Sequence, residues 1–369
     1  MIWPLDGASS DVVFNTWSHF SLSLNLEAAS FTRYITPTKV EQKVRHLVIE
    51  WIRNEIVRHI PDAEVLVFGS TPVDMYLPSG DIDLVVQSKS LAVEGPPRSN
   101  ITRIADILRS TDMALGEVRI FASAKIPILK FVSRHGKFSI DISVNVSNGV
   151  AAASIIRDFI RDIPGVKPLS LIVKCFLRSR DANEVYRGGL SSYLVVCMVI
   201  YFFQTHKGMR KSHTDPSSSL GNLLLEFLQL FGYDFNYLQS GISLRDGGKT
   251  FSRSERHWIY RPSQPRLCIE DPQNTQLDAG AGIHDIRRIQ MLFIHAYDQL
   301  QAEIQRRDRS RSKALLLEGN SLLQIIMGVP LNVSATGPRW IAIDKANARK
   351  SSIGSILPCS IPQGDSIDY

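Results

Sequence analysis

Cysteine is scarce: four in 369 residues, at 175, 197, 268 and 359, with no Cys-x-x-Cys pair. That pattern excludes a zinc ribbon, a thioredoxin-type site and a disulfide scaffold, and makes reduced, intracellular thiols the expectation. No secretory leader is expected at the start, where Asp6 and Asp11 stand among polar residues. Long hydrophobic runs are missing too. The longest, Tyr193 to Phe203, falls well short of the roughly 20 residues a membrane span needs and reads as a buried helix. Charge excess is small, 42 Lys and Arg against 36 Asp and Glu. This permits an anionic partner such as nucleic acid without demanding one. No internal repeat is seen. With 44% hydrophobic residues, disorder over most of the chain is excluded, and the length suggests two cores at about 150 residues each.

Residues 1–30 show no clean period and read as an irregular extension. Val40, Val44, Leu47, Val48, Trp51, Ile52, Ile56 and Ile60 follow helical spacing. Thr36-Pro37 reads as the cap and first turn of that helix. Five short apolar runs follow, Val65–Phe68, Ile82–Val86, Val118–Phe121, Ile126–Val132 and Phe138–Val144, with a helical period at Ile104–Leu108. They predict an α+β domain on one sheet over 31–165. Lys89 to Asn100, with Gly95-Pro96-Pro97, reads as a loop. Helical periods then dominate residues 166–329, interrupted by turn signals around Asp246-Gly247-Gly248, Pro262, Pro265 and Pro272. From 330 to 369 periodicity vanishes, so a flexible tail is expected.

The chemistry concentrates in Val67-Phe68-Gly69-Ser70 and, ten residues on, Asp81-Ile82-Asp83-Leu84. A strand delivers a Gly-Ser turn, and the next helix would begin there; glycine lets a phosphate approach the backbone and serine adds a hydroxyl donor. Residues two apart on a strand share a face, so Asp81 and Asp83 converge. Adjacent carboxylates repel unless they share a cation, and a hard divalent ion suits them. Asp141 lies between Ile140 and Ile142 in an apolar strand. It joins the pair or faces solvent on an edge. Two other motifs carry less. Gly247-Gly248-Lys249-Thr250 lacks the first P-loop glycine, since Ser243 stands there. Arg306, Arg307, Arg309, Arg311 and Lys313 read as a solvated helix end or an RNA contact.

Together with Asp141, these segments resemble the polymerase β-like nucleotidyltransferase superfamily. In order, VFGSTPVDMYLPSGDIDLVV, AKIPILKFV, IDISVNVSNGVAAASIIRDFI, LIVKCFLRSR, GGLSSY and CIEDP resemble blocks of the TRAMP-type poly(A) polymerases of nuclear RNA surveillance. The resemblance runs from about Phe31 to Val329. It implies a palm sheet with a mostly helical poly(A)-polymerase-associated domain. The implied activity is template-independent transfer of AMP from ATP to RNA 3′ ends by a polynucleotide adenylyltransferase. Asp81, Asp83 and Asp141 would ligate two Mg²⁺ or Mn²⁺ ions, and Gly69 and Ser70 would cradle phosphate.

By the same resemblance Asn148 meets the ribose, Lys174 and Arg178 the triphosphate, and Ser192 and Tyr193 a phosphate and the base. Read as residues alone, Asn148 is equally a helix cap. Lys174 and Arg178 are equally a solvated i, i+4 stripe, and Ser192 and Tyr193 a cap and a core ring. The resemblance further implies a nuclear enzyme assisted by a zinc-knuckle RNA-binding protein and an RNA helicase, with no membrane association. One pair departs from it. Uridylyl-transferring relatives tend to carry His-Asn, and adenylyl-transferring ones often Asn-Asn, where this chain has Leu277-Asp278. The missing histidine argues against UTP. A terminal uridylyltransferase and a catalytically lapsed nucleotide-binding scaffold remain the alternatives.

Overall fold

The computed structural model describes residues 19–94, 96–122, 126–146, 148–184, 188–206, 219–258, 261, 263–310 and 321–327. The expected tail, residues 1–18, and Arg311 and Lys313 lie outside them.

Helix α1 (His19–Ile35) precedes α2 (Lys39–His59). The α2 cap is Thr38 rather than Thr36. Its hydroxyl accepts from the Glu41 amide at 3.2 Å, and the Glu41 carboxylate accepts from the Thr38 amide at 2.7 Å. This reciprocal box leaves Pro37 outside the helix. All five expected strands form: β1 (Glu64–Phe68), β2 (Ile82–Gln87), β3 (Arg119–Phe121), β4 (Ile128–Val132) and β5 (Ser139–Val144). They make one mixed sheet in the order β1-β2-β5-β4-β3. Only the β2–β5 pair is parallel, which requires a long crossover.

That crossover contains α3 (Lys89–Glu94) and α4 (Pro97–Arg109), so the stretch expected as a loop is largely helical. The Ser88 hydroxyl accepts from the Leu91 amide at 3.1 Å, and Asp62 holds Ser88 and Ser90. Pro97 sits in the first turn of α4, where its missing N–H costs nothing. One face of the sheet packs Leu84, Leu129, Phe131, Ile140 and Ile142 against Ile49, Ile52 and Ile56 of α2 and Ile104 and Leu108 of α4.

A second core gathers α1, α6 (Val166–Ser179), α7 (Ser192–Thr205), α8 (Leu220–Gln229), α9 (Ile286–Ser310) and α10 (Leu322–Met327). Helix α5 (Asn148–Asp162) adds Ile156. Ten consecutive residues of α7, Leu194 to Phe203, are buried. Among the described residues no helix is long and apolar enough to cross a membrane. The turn-rich stretch after α8 contains strands that its turn signals hid. They are β6 (Ser240–Ser243), β7 (Lys249–Ser252) and β8 (Cys268–Ile269), ordered β7-β6-β8. Gly247-Gly248 turns the β6–β7 hairpin, and Lys249 pairs with Asp246 at 2.8 Å.

Residues 19–30 are helical, not irregular. Leu24, Ala28, Phe31 and Ile35 step by four, three and four and are buried in the second core. Helix α1 also caps its neighbours. The Asn25 side-chain oxygen accepts from the Gly221 and Asn222 amides at 2.7 and 3.0 Å. Glu27 accepts from the Ser321 hydroxyl and the Leu323 amide at 2.6 and 3.1 Å. Asn25→Ala is expected to cost about 1–2 kcal/mol, because two α8 amides lose their acceptor. Urea unfolding reads this, and an unchanged midpoint would mean that the cap contributes nothing.

Candidate active site

Asp83 and Asp141 are register partners across the parallel β2–β5 pair, so their side chains leave the same face. The opposite face takes Ile82, Leu84, Ile140 and Ile142, all fully buried. Asp81 stands two residues before Asp83, just ahead of β2. Burial and the neighbouring Asp141 and Asp81 charges push Asp83 up to about 7. Burial also raises Asp141, partly offset by the Lys130 ammonium, which forms a close ion pair with it. The other Asp141 oxygen is buried without a hydrogen-bond partner. Among the described residues no three His, Cys, Asp or Glu side chains are gathered within reach of one ion. The like charges repel, and Lys130 occupies one Asp141 oxygen. In residue type, shared face and orphaned oxygen, the trio fits hard divalent ions.

The Gly-Ser turn packs directly on Asp83. Phe68 is the β1 partner of Asp83, so the chain leaves β1 beside the carboxylate. Gly69 has φ +69, and a Cβ there would lie 2.2 Å from an Asp83 oxygen. Only glycine allows both the conformation and the approach. A single 3₁₀ turn, Thr71–Val73, follows Ser70, where the sequence suggests the start of a helix.

Arg45 on α2 was not singled out by sequence. Its guanidinium is buried and donates to the carbonyls of Gly80 at 2.5 Å and Asp81 at 2.9 Å. It stacks on Tyr76 and Phe138, 4.1 and 4.7 Å from the ring centroids. Arg45 therefore holds the backbone that presents Asp81, and its charge lies under the acids. The only sequence signal was a charged residue on the apolar side of an amphipathic helix.

Gly69, Ser70, Asp81, Asp83, Lys174, Arg178, Ser192 and Tyr193 all line one cavity of about 510 Å³ between the sheet and the second core. Lys174 and Arg178 reach across from α6. Lys174 donates to the Met75 carbonyl at 2.6 Å and Arg178 to the Ser79 carbonyl at 3.3 Å. Burial pushes Lys174 down to about 7, against the Asp83 field that raises it. Ser191 is the α7 cap, its hydroxyl accepting from the Leu194 amide at 3.3 Å. The Ser192 hydroxyl is therefore not the cap, and Ser192 is exposed in the cavity wall. Tyr193 is half-buried, and burial pushes its phenol up. Asn148 opens α5, but its side chain lies outside the described residues.

Known proteins share this fold. The central palm domain model of mitochondrial-like poly(A) RNA polymerases matches residues 24–161, and the Cid1 family poly(A) polymerase model matches 219–277. The polymerase core of TRAMP, an RNA surveillance complex, is similar over 87% of this chain and 100% of its own. The TM-score is 0.75 at 33% identity. The chain belongs to the poly(A) RNA polymerase family. Its α+β fold is the polymerase β-like nucleotidyltransferase fold, and enzymes of this family generally use divalent metal ions.

Within the family, the chain is 42% identical over 290 residues to Poly(A) RNA polymerase CID14 of Cryptococcus neoformans. That match covers 79% of this chain and 38% of the relative. The chain thus spans well under half of that protein. It is also 32% identical to the inactive poly(A) RNA polymerase protein Trf4-2 of Drosophila melanogaster, over 79% of this chain and 71% of the relative.

The poly(A) polymerase-type loop after β8 is braced from below. Buried Glu270 pairs closely with Arg256 and accepts from the Ser243 hydroxyl at 2.9 Å. The Trp258 indole N–H donates to the Gln276 carbonyl at 2.8 Å. Asp271 is near enough to Tyr193 to raise its phenol. At the divergent pair, an Asp278 oxygen accepts from the Ile269 and Gly280 amides at 2.9 and 2.8 Å. That oxygen shapes the loop, and exposed Leu277 offers no polar group.

Proposed function

We propose that this chain adds AMP from ATP to RNA 3′ ends without a template, as a nuclear RNA-surveillance polymerase. The carrying observation is that Asp83 and Asp141 face the same way in register, with Asp81 beside them. In this reading the three aspartates hold two Mg²⁺ or Mn²⁺ ions, which when bound acidify the RNA 3′-hydroxyl and stabilise the leaving pyrophosphate. The Gly69-Ser70 turn and the Ser192 hydroxyl orient phosphate oxygens. Lys174 and Arg178 exchange their carbonyl partners for triphosphate, and its charge favours the protonated Lys174. Tyr193 stacks on the base, Asn148 meets the ribose, and Arg45 keeps Asp81 in place. Names of relatives at 42 and 37% identity support AMP transfer, as does the lack of a histidine at Leu277. A zinc-knuckle RNA-binding protein and an RNA helicase are proposed partners.

The experiment supplies each of the four NTPs separately to the chain, with labelled RNA and Mg²⁺ or Mn²⁺. Extension with ATP well above UTP is expected, and Asp81→Ala abolishes it. Preference for UTP would replace the reading with a uridylyltransferase. The inactive relative makes a lapsed scaffold the other outcome to watch. Metal-nucleotide binding without turnover would establish it.

A further inference from the structure

The register that pairs Asp83 with Asp141 continues across the sheet. Asp141 is opposite Lys130 on β4, and Lys130 is opposite Arg119 on β3. Register partners share a face, so Asp83, Asp141, Lys130 and Arg119 form one row that turns from acid to base. Phe121 and Val132 lie two positions from Arg119 and Lys130 on their strands and project from that same face. Ile120, Leu129 and Phe131 point the other way, into the first core.

This half of the sheet face is open. Arg119 and Lys130 side chains are 69% and 39% exposed, and Phe121 and Val132 are 43% and 38% exposed. Arg119 has a long 4.0 Å contact to exposed Glu117, which leaves its guanidinium available to a stronger anion. An aromatic ring beside two cations is the surface a single strand of nucleic acid uses, with phosphates on the cations and a base on the ring. Two strand spacings, about 10 Å, separate Asp141 from Arg119. The basic end of the row is thus a short run of nucleotides from the acidic end.

We propose that the open face of β5, β4 and β3 is the bed for the RNA strand being extended, with its phosphates on Lys130 and Arg119 and a base stacked on Phe121. The inference rests on RNA being the acceptor, and it identifies which surface of the chain receives it.

The test measures binding of a 5′-fluorescein 15-residue oligoadenylate RNA to the full chain by anisotropy, without ATP, over a range of salt. Arg119→Glu is expected to raise the Kd at least tenfold. Arg119→Gln is expected to flatten the slope of log affinity against log salt by about 0.7, the share of one phosphate contact on a single strand. Phe121→Leu is expected to weaken binding about tenfold, whereas Phe121→Trp keeps it, because stacking needs a ring and mere apolar contact does not. In extension assays the same variants raise the KM for RNA and leave kcat and the KM for ATP unchanged. Unaltered RNA affinity and salt slope in the Arg119 and Phe121 variants would overturn the proposal. A wild-type chain that binds RNA but extends it with no NTP would instead refute the proposed activity.

Discussion

Asp83→Asn is expected to abolish nucleotide addition and, above pH 7, to stabilise the metal-free chain relative to wild type. The substitution keeps size and removes charge. Losing one ligand of a two-ion site removes several kcal/mol of transition-state stabilisation, or about three orders of magnitude in rate at 1.36 kcal/mol per tenfold. Extension of labelled RNA measures that. The stability effect follows from the Asp83 carboxyl, pushed up to about 7 by burial, Asp141 and Asp81. Its folded value lies above its unfolded one, near 3.9. Keeping the proton therefore helps the fold fully below about pH 4, and that help is lost as pH rises to about 7. Above that, the buried charge costs on the order of 4 kcal/mol. Urea unfolding at pH 4.5 and 8 should show the asparagine variant gaining on wild type at the higher pH. Mn²⁺ should narrow the gap by stabilising wild type. A gap independent of pH would mean that the acid cluster carries no electrostatic cost.

Gly69→Ala should be nearly as damaging to activity, by sterics rather than charge. The new methyl would lie 2.2 Å from the Asp83 carboxylate oxygen and 3.0 Å from its carboxyl carbon. The carboxylate has to move, and displacement of a reacting group by about 1 Å costs around a hundredfold. Alanine at φ +69 adds about 1–2 kcal/mol of backbone strain. Gly116 provides the control, with φ +86 and no atom within 4 Å of an added Cβ. Gly116→Ala is expected to lose similar stability and to keep full activity. If the two variants were equally active, the contact between the Gly-Ser turn and Asp83 would have no catalytic consequence.

The strands of the sheet were legible in sequence because each is a short apolar run, and Asp141 stood out as an acid between isoleucines. Helix α1 was missed although Leu24, Ala28, Phe31 and Ile35 carry its period, since Ser, Asn and Leu blur the polar face. The β6–β8 sheet was missed because strands of two to four residues leave no period to read. Arg45 was invisible as a functional residue, since its partners are main-chain carbonyls 35 and 36 positions away.

By itself the sequence determined the acid pair, the Gly-Ser turn ahead of it and the mostly helical second half, because these are local: spacing, propensity and side-chain chemistry. Only the tertiary structure decided that Asp83, Asp141, Lys130 and Arg119 form one row, that Lys174 crosses to the loop after Ser70, and that α1 caps helices some 200 and 300 residues downstream. Those relations depend on strand register and helix packing, which are set by burial of apolar surface shared across the whole chain and have no local signature.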